Sequence, residues 1–109
     1  MGYEVRINQQ ARNDLRSIYR YIAFHLQEPH AALRQYTKIK SSLLMLSEKP
    51  ERCPLYGDEP WRGMGLRRMV IGSYIAFYWV DDAESAVAVL RVMFGGRDAE
   101  RQLETIDLT

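Results

Sequence analysis

LRRMVIGSYIAFYWVDDAESAVAVLRVMFGGRD, residues Leu66 to Asp98, decides the fold. It reads as three strands of one antiparallel meander. Leu66 to Ile71 ends at Gly72-Ser73, Tyr74 to Val80 ends at Asp81-Asp82-Ala83-Glu84, and Ser85 to Phe94 ends at Gly95-Gly96. The runs are dense in β-branched and aromatic residues, and each break falls where glycine or a polar cluster permits a turn. Four arginines mark the stretch: Arg67 and Arg68 at its start, Arg91 in its last strand and Arg97 just past its end. In a regular strand Arg91 shares a face with Val87, Val89 and Met93.

Working outward toward the N-terminus, Glu51 to Gly65 is a loop rich in proline and glycine. Its Trp61 is either a lid over the core or an exposed anchor for a partner. Before it, Ala32, Tyr36, Ile39, Leu43 and Leu46 recur at helical spacing, with Leu33 and Leu44 widening the stripe. That helix starts at Pro29, a favoured first-turn residue, and ends near Lys49-Pro50. An earlier helix is predicted from about Gln9 to Leu26 or Gln27, with Leu15, Ile18, Tyr19, Ile22 and Leu26 at helical spacing and Ala11 and Ala23 on the same side. Two or three residues between them predict an antiparallel hairpin. Arg12, Arg16 and Arg20 form a ridge beside the apolar stripe of the first helix. The ridge is either a solvated edge or a contact line for an acidic partner. Tyr3 to Asn8 alternates apolar with polar residues, predicting a short strand that needs a partner in the meander. After the meander, Asp98 can cap a short helix bearing Ala99, Leu103 and Ile106. The expected fold is therefore α+β, in the order β-α-α-β-β-β. A helical hairpin packs on a four-stranded, mainly antiparallel sheet, and a short C-terminal helix follows.

The 109 residues suit one domain, spanning 1–109, with one core. At 47% hydrophobic and 27% charged, the composition is that of a soluble globular chain, with no apolar run long enough to span a membrane. No signal-peptide pattern opens the chain, and the single Cys53 has no internal disulfide partner, which fits the cytoplasm. A net charge of +1 excludes a strongly basic nucleic-acid binder. The charge is uneven, however: residues 1–50 carry eight Lys or Arg against four Asp or Glu, and residues 51–109 carry seven against ten. His25 and His30 stand five apart, poorly aligned for a metal pair, and no cofactor motif occurs.

The element order, with GLRRMVIGSYIAFYWV at Gly65 to Val80, VLRVMFGGRD at Val89 to Asp98 and DLRSIYRYIA at Asp14 to Ala23, resembles the RelE/ParE superfamily of toxins from bacterial type II toxin–antitoxin modules. The resemblance covers nearly the whole chain. It implies a cytoplasmic toxin of a plasmid-stabilisation or addiction module, able to arrest growth and neutralised by a cognate antitoxin. Antitoxins of this kind lay an extended and helical segment over the toxin. Arg12, Arg16, Arg20, Trp61, Arg91 and Arg97 are the expected partner-binding residues. A free toxin exposing that surface can also form a homodimer.

Two activities are open within the superfamily. RelE-like members cleave mRNA in the ribosomal A site, a reaction that needs a base, an acid and cations for the crowded phosphate. Mapped onto this chain, Arg67, Arg68 and Arg97 match positions of that set, and Glu59 in the loop (or Glu51 or Asp58) is a candidate acid or base. The arginine usual at the start of the second meander strand is missing, since Tyr74-Ile75-Ala76 stands there, and the segment after Arg97 offers no Tyr or His. Loss of such a group typically costs about 10²- to 10⁴-fold in rate. ParE-like members lack the catalytic set and poison DNA gyrase by binding. The ParE branch is the nearer resemblance, so DNA gyrase is the expected target and the chain is expected not to be an enzyme; the alternative target is the ribosome with its mRNA. A further alternative is an inactive interaction module whose Arg67, Arg68, Arg91 and Arg97 merely pair with Asp81, Asp82, Glu84 and Asp98.

Overall fold

A computed structural model describes residues 2–57 and 59–95 of the chain. The predicted C-terminal helix, with Arg97 and Asp98, lies outside the described residues, as does Asp58. Strand β1 (Glu4–Ile7) is followed by helix α1 (Gln9–Arg20), which continues as a π-helical turn over Tyr21–His25. Helix α2 (Pro29–Leu44) ends in a short 3₁₀ turn, Met45–Ser47. The meander comprises β2 (Arg67–Ile71), β3 (Tyr74–Asp81) and β4 (Ala86–Phe94). The strand bounds lie within a residue of those expected from sequence, whereas both α-helices end earlier than expected, at Arg20 and Leu44. The sheet order is β1-β4-β3-β2, with β1 parallel to β4 and the meander antiparallel.

Local chemistry sets each boundary. Asn8 caps α1, its side-chain oxygen accepting the Ala11 N–H at 2.8 Å. The first helix does not run as one α-helix to Leu26. It widens after Arg20, and the Leu26 N–H reaches back to the Tyr21 carbonyl at 3.0 Å. Gln27, with φ of 56°, then reverses the chain. Gly72 takes φ of 60° at the β2–β3 turn, where only glycine sits without strain.

The sheet buries both faces. On one side Ala11, Leu15, Ile39, Leu43 and Leu46 of the helical layer pack on Met69, Ile71, Ala76, Tyr78, Val87, Val89 and Val92. On the other side Leu66, Phe77, Leu90 and Met93 form a second cluster, covered by Tyr56 and Trp61 of the loop. The residues 51–65 loop is thus a folded cover. The Tyr56 N–H bonds the Leu66 carbonyl at 2.7 Å, and the Arg68 N–H bonds the Pro54 carbonyl at 3.2 Å. Leu33 and Leu44, expected to widen the buried stripe of α2, are exposed instead. They sit beside the buried positions Ala32, Ile39 and Leu43 of α2.

One irregularity in β4 overturns the regular alternation expected there. Tyr78 pairs with Val89 and Phe77 with Arg91, which leaves Leu90 as an extra, bulged residue. Val87 and Val89 face the helices, but beyond the bulge Val92 does so and Met93 turns to the loop side. Arg91 and Met93, paired with Phe77 and Ile75 of the loop-side cluster, therefore do not share the face of Val87 and Val89.

Candidate functional site

The arginines singled out from sequence fall in three separate places. Arg91 is tied to α1, with its Nε and Nη2 donating to the two Asp14 carboxylate oxygens at 2.7 and 2.9 Å. Asp14 also accepts the Val92 N–H at 2.9 Å. β1 pairs with β4 only as far as Val89, so the amides beyond lie along an edge that α1 covers. The bulge turns Arg91 and the Val92 N–H toward this edge, and one carboxylate satisfies both. The pair is mostly buried, with side chains 16% and 15% exposed. Sequence reading missed Asp14, because its partners lie 77 and 78 residues away.

Arg67 spends its guanidinium on loop carbonyls, donating to Cys53 at 2.6 Å and to Glu51 at 3.5 Å. The bonds described for Arg67 and Arg91 go to loop carbonyls and to Asp14. Asp81 accepts the Glu84 N–H at 3.2 Å, and Asp82 accepts the Tyr3 hydroxyl at 2.8 Å. Arg68 is exposed, with its guanidinium carbon 5.9 Å from the Tyr56 ring centre. Glu59 Oε2 accepts the Gly63 N–H at 3.0 Å and shapes the loop. Next to Arg67, Tyr78 is buried and donates to the Pro50 carbonyl at 2.7 Å. Burial, followed by its contact with Cys53, pushes the Tyr78 phenol well above the usual tyrosine range.

Arg12 and Arg16 line a groove of about 750 Å³ between α1, α2 and β1. Its apolar lining comes from Val5, Ile7, Leu15, Leu33, Tyr19 and Tyr36, the two tyrosine rings meeting edge to face at 6.2 Å. Its charged lining is Arg6, Arg12, Arg16 and Lys40 against Glu4 alone. Arg20 lies one turn further along α1, exposed, outside the groove. β1 is an edge strand. The Glu4 and Asn8 amides bond to β4, so the Val5 and Ile7 backbone groups face outward. Arg12 Nε takes the Ile7 carbonyl at 3.0 Å. A basic, partly apolar groove beside an open strand edge suits an acidic, amphipathic segment of another chain.

The loop side of the sheet is different in kind. Trp61, Met64, Leu66, Trp79 and Leu90 line a cleft of about 130 Å³. Its centre is apolar. Both histidines lie at the helical-hairpin turn, away from it. Among the described residues no group of His, Cys, Asp and Glu converges as a metal site would require, and no helix is long and apolar enough to cross a membrane.

The family model described as "ParE toxin of type II toxin-antitoxin system, parDE" matches residues 5–99. Among solved structures, the chromosomal ParDE toxin–antitoxin system of P. aeruginosa superimposes with a TM-score of 0.71 at 20% identity, over 86% of this chain and 97% of that one. A RelBE toxin–antitoxin complex from Mycobacterium tuberculosis gives 0.62 at 24% identity, over 86% and 99%. An arginine-substituted E. coli RelE toxin in the free state gives 0.64 at 19% identity, over 95% and 94%. At these identities the structural likenesses speak for the fold. No curated protein matches the chain in sequence.

Proposed function

Because the chain belongs to the ParE toxin family of type II toxin–antitoxin systems, we propose that it arrests growth by binding DNA gyrase and trapping cleaved DNA, and that a cognate antitoxin neutralises it. One observation carries the gyrase reading over the ribonuclease one. The loop-side face of the sheet, on which Arg68 stands, is filled by Leu66, Phe77, Leu90 and Met93. Arg67 and Glu59, two of the groups that chemistry would call on, are spent on loop backbone. A phosphate gathering charge in a transition state requires cations and an acid aimed at it; among the described residues Arg68, at the rim, is the mapped cation on this face, and Glu59, the mapped acid, is turned to the Gly63 amide.

The antitoxin's place in this reading is the groove of Arg12 and Arg16. An acidic amphipathic segment there would bury apolar side chains on Leu33, Tyr19 and Tyr36 and set carboxylates against Arg12, Arg16 and Lys40, Arg6 being paired with Glu4. Arg20 would extend the same contact line. Arg91, held by Asp14, serves this reading by fixing α1 on the sheet.

Purified chain added to a gyrase supercoiling reaction is expected to accumulate cleaved DNA at micromolar concentration. Absence of cleaved DNA, together with cut message in a translation reaction, would replace this reading with the RelE-type ribonuclease. Unchanged growth on induction would reject both and leave an inactive module.

A further inference from the structure

The cleft on the loop side is separate from the antitoxin groove and faces the opposite way across the sheet. Trp61 and Met64 overhang it from the loop, and Leu66, Trp79 and Leu90 form its floor. The floor is rigid, since Leu66 and Leu90 are only 2% and 4% exposed, whereas Met64 at the mouth is 46% exposed. The overhang is built rather than loose. The Met64 N–H bonds the Pro60 carbonyl at 3.2 Å, the Leu66 N–H bonds the Trp61 carbonyl at 3.1 Å, and Glu59 holds the Gly63 amide.

Size and chemistry narrow the occupant. About 130 Å³ is close to the roughly 150 Å³ of dry cavities that accept a single benzene ring. It is well below the ~300 Å³ at which pockets for drug-sized ligands begin. One side chain fits. Apart from two indole N–H groups the lining has no strong hydrogen-bonding side chain. A nucleobase would carry several donors and acceptors into that setting with almost nothing to meet them. A Phe or Leu side chain brings none.

Charge narrows it further. Arg68 follows Leu66 on the same face of β2, and exposed Arg62 adjoins Trp61. Among the described residues, Glu59 keeps its charge while holding the Gly63 amide in the loop, and Asp81 accepts the Glu84 N–H at the β3–β4 turn. Among the described residues Arg62 and Arg68 therefore outnumber Glu59 on the loop side of the mouth. We propose that the cleft receives one large apolar side chain, Phe or Leu, from an acidic segment of a protein partner, with Arg62 and Arg68 meeting the flanking carboxylates. This rests on reading the chain as a toxin that acts by binding protein, and it assigns that binding to a surface distinct from the antitoxin groove.

The chain's two tryptophans both line the cleft, so their emission reports occupancy directly. The probe is the blocked peptide acetyl-Glu-Asp-Phe-Asp-Glu-amide, titrated into the full chain. A saturable emission change is expected, weakened about tenfold or more when the peptide's Phe is replaced by Ala. Met64→Glu, at an exposed position, should weaken it similarly while leaving circular dichroism and the thermal melt unchanged. Arg68→Glu should weaken it while Arg16→Glu does not. Equal binding of the Ala peptide, no saturation up to millimolar peptide, or tighter binding of an oligothymidine that Met64→Glu abolishes would each overturn the assignment. A wild-type chain that poisons gyrase but ignores the peptide sinks the cleft alone. A chain that binds the peptide but leaves gyrase untouched sinks only the gyrase reading.

Discussion

At the scale of single residues, Asp14 ties the two halves of the chain together. Its carboxylate satisfies a mostly buried guanidinium and a strand-edge amide at once. Removing one member of such a set leaves the others desolvated without that acceptor, at a cost of about 2–4 kcal/mol. Asp14→Ala should lower the urea midpoint accordingly, and Asp14→Asn, which keeps an acceptor, should lower it by less. Tyr78 makes a different prediction. Its phenol is neutral in the fold, and burial raises its pKa above the unfolded value near 10. Between those two values the native state holds a proton that the unfolded state has lost. The stabilisation is therefore fully present below about pH 10 and falls away as pH rises beyond it. Tyr78→Phe should flatten this alkaline limb. At neutral pH it should cost about 1–3 kcal/mol, because the buried Pro50 carbonyl loses its donor. Urea melts of both proteins at pH 7 and above pH 10 would show it.

Among the elements, the helical hairpin turns on a residue with a side chain where glycine is the usual choice. Gln27 sits at φ of 56° after the π turn. A left-handed conformation costs a residue with a Cβ roughly 1–2 kcal/mol. Gln27→Gly should relieve most of that and raise stability by about 0.5–1 kcal/mol, a shift of a few degrees in Tm. At the β2–β3 turn the argument runs the other way. Gly72 occupies φ of 60° with the Lys38 amine 3.5 Å from where a Cβ would stand. Gly72→Val should cost about 1–2 kcal/mol in the same measurement. Both turns bring the sheet and hairpin into register, and the groove depends on the hairpin's placement.

Over the whole molecule, the two faces divide the work. The helical side offers a basic groove next to an open strand edge, and the loop side offers an apolar cleft rimmed by arginine. Separate faces allow an antitoxin and a target to be addressed by different chemistry. Arg16→Glu reverses a charge in the groove without touching the cleft. It should weaken antitoxin binding by about tenfold or more and make the remaining affinity less sensitive to salt. Growth arrest by the variant should persist even when the antitoxin is co-expressed. A titration against antitoxin at two ionic strengths tests the first expectation, and a co-expression plate tests the second.

The amino-acid pattern by itself determined the elements and their order. Period-two runs bounded by Gly72-Ser73 and the acidic turn define the meander, and period-3.6 stripes define the hairpin. Both periodicities are local properties that survive without tertiary contact. The ridge of Arg12 and Arg16 was legible for the same reason. What the sequence could not fix was which arginine does what. The Leu90 bulge reverses the facing of β4, and a one-residue shift in a strand moves every later side chain to the other side of the sheet. That shift, and the shortness of β1, put Arg91 against Asp14 of α1. Arg67 found its partners in loop carbonyls, which carry no side-chain signature. The cleft needed Trp61, Leu66, Trp79 and Leu90 brought together from the loop, the residue that leads into β2, and strands β3 and β4. Only packing of the folded chain places side chains so distant in sequence around one cavity.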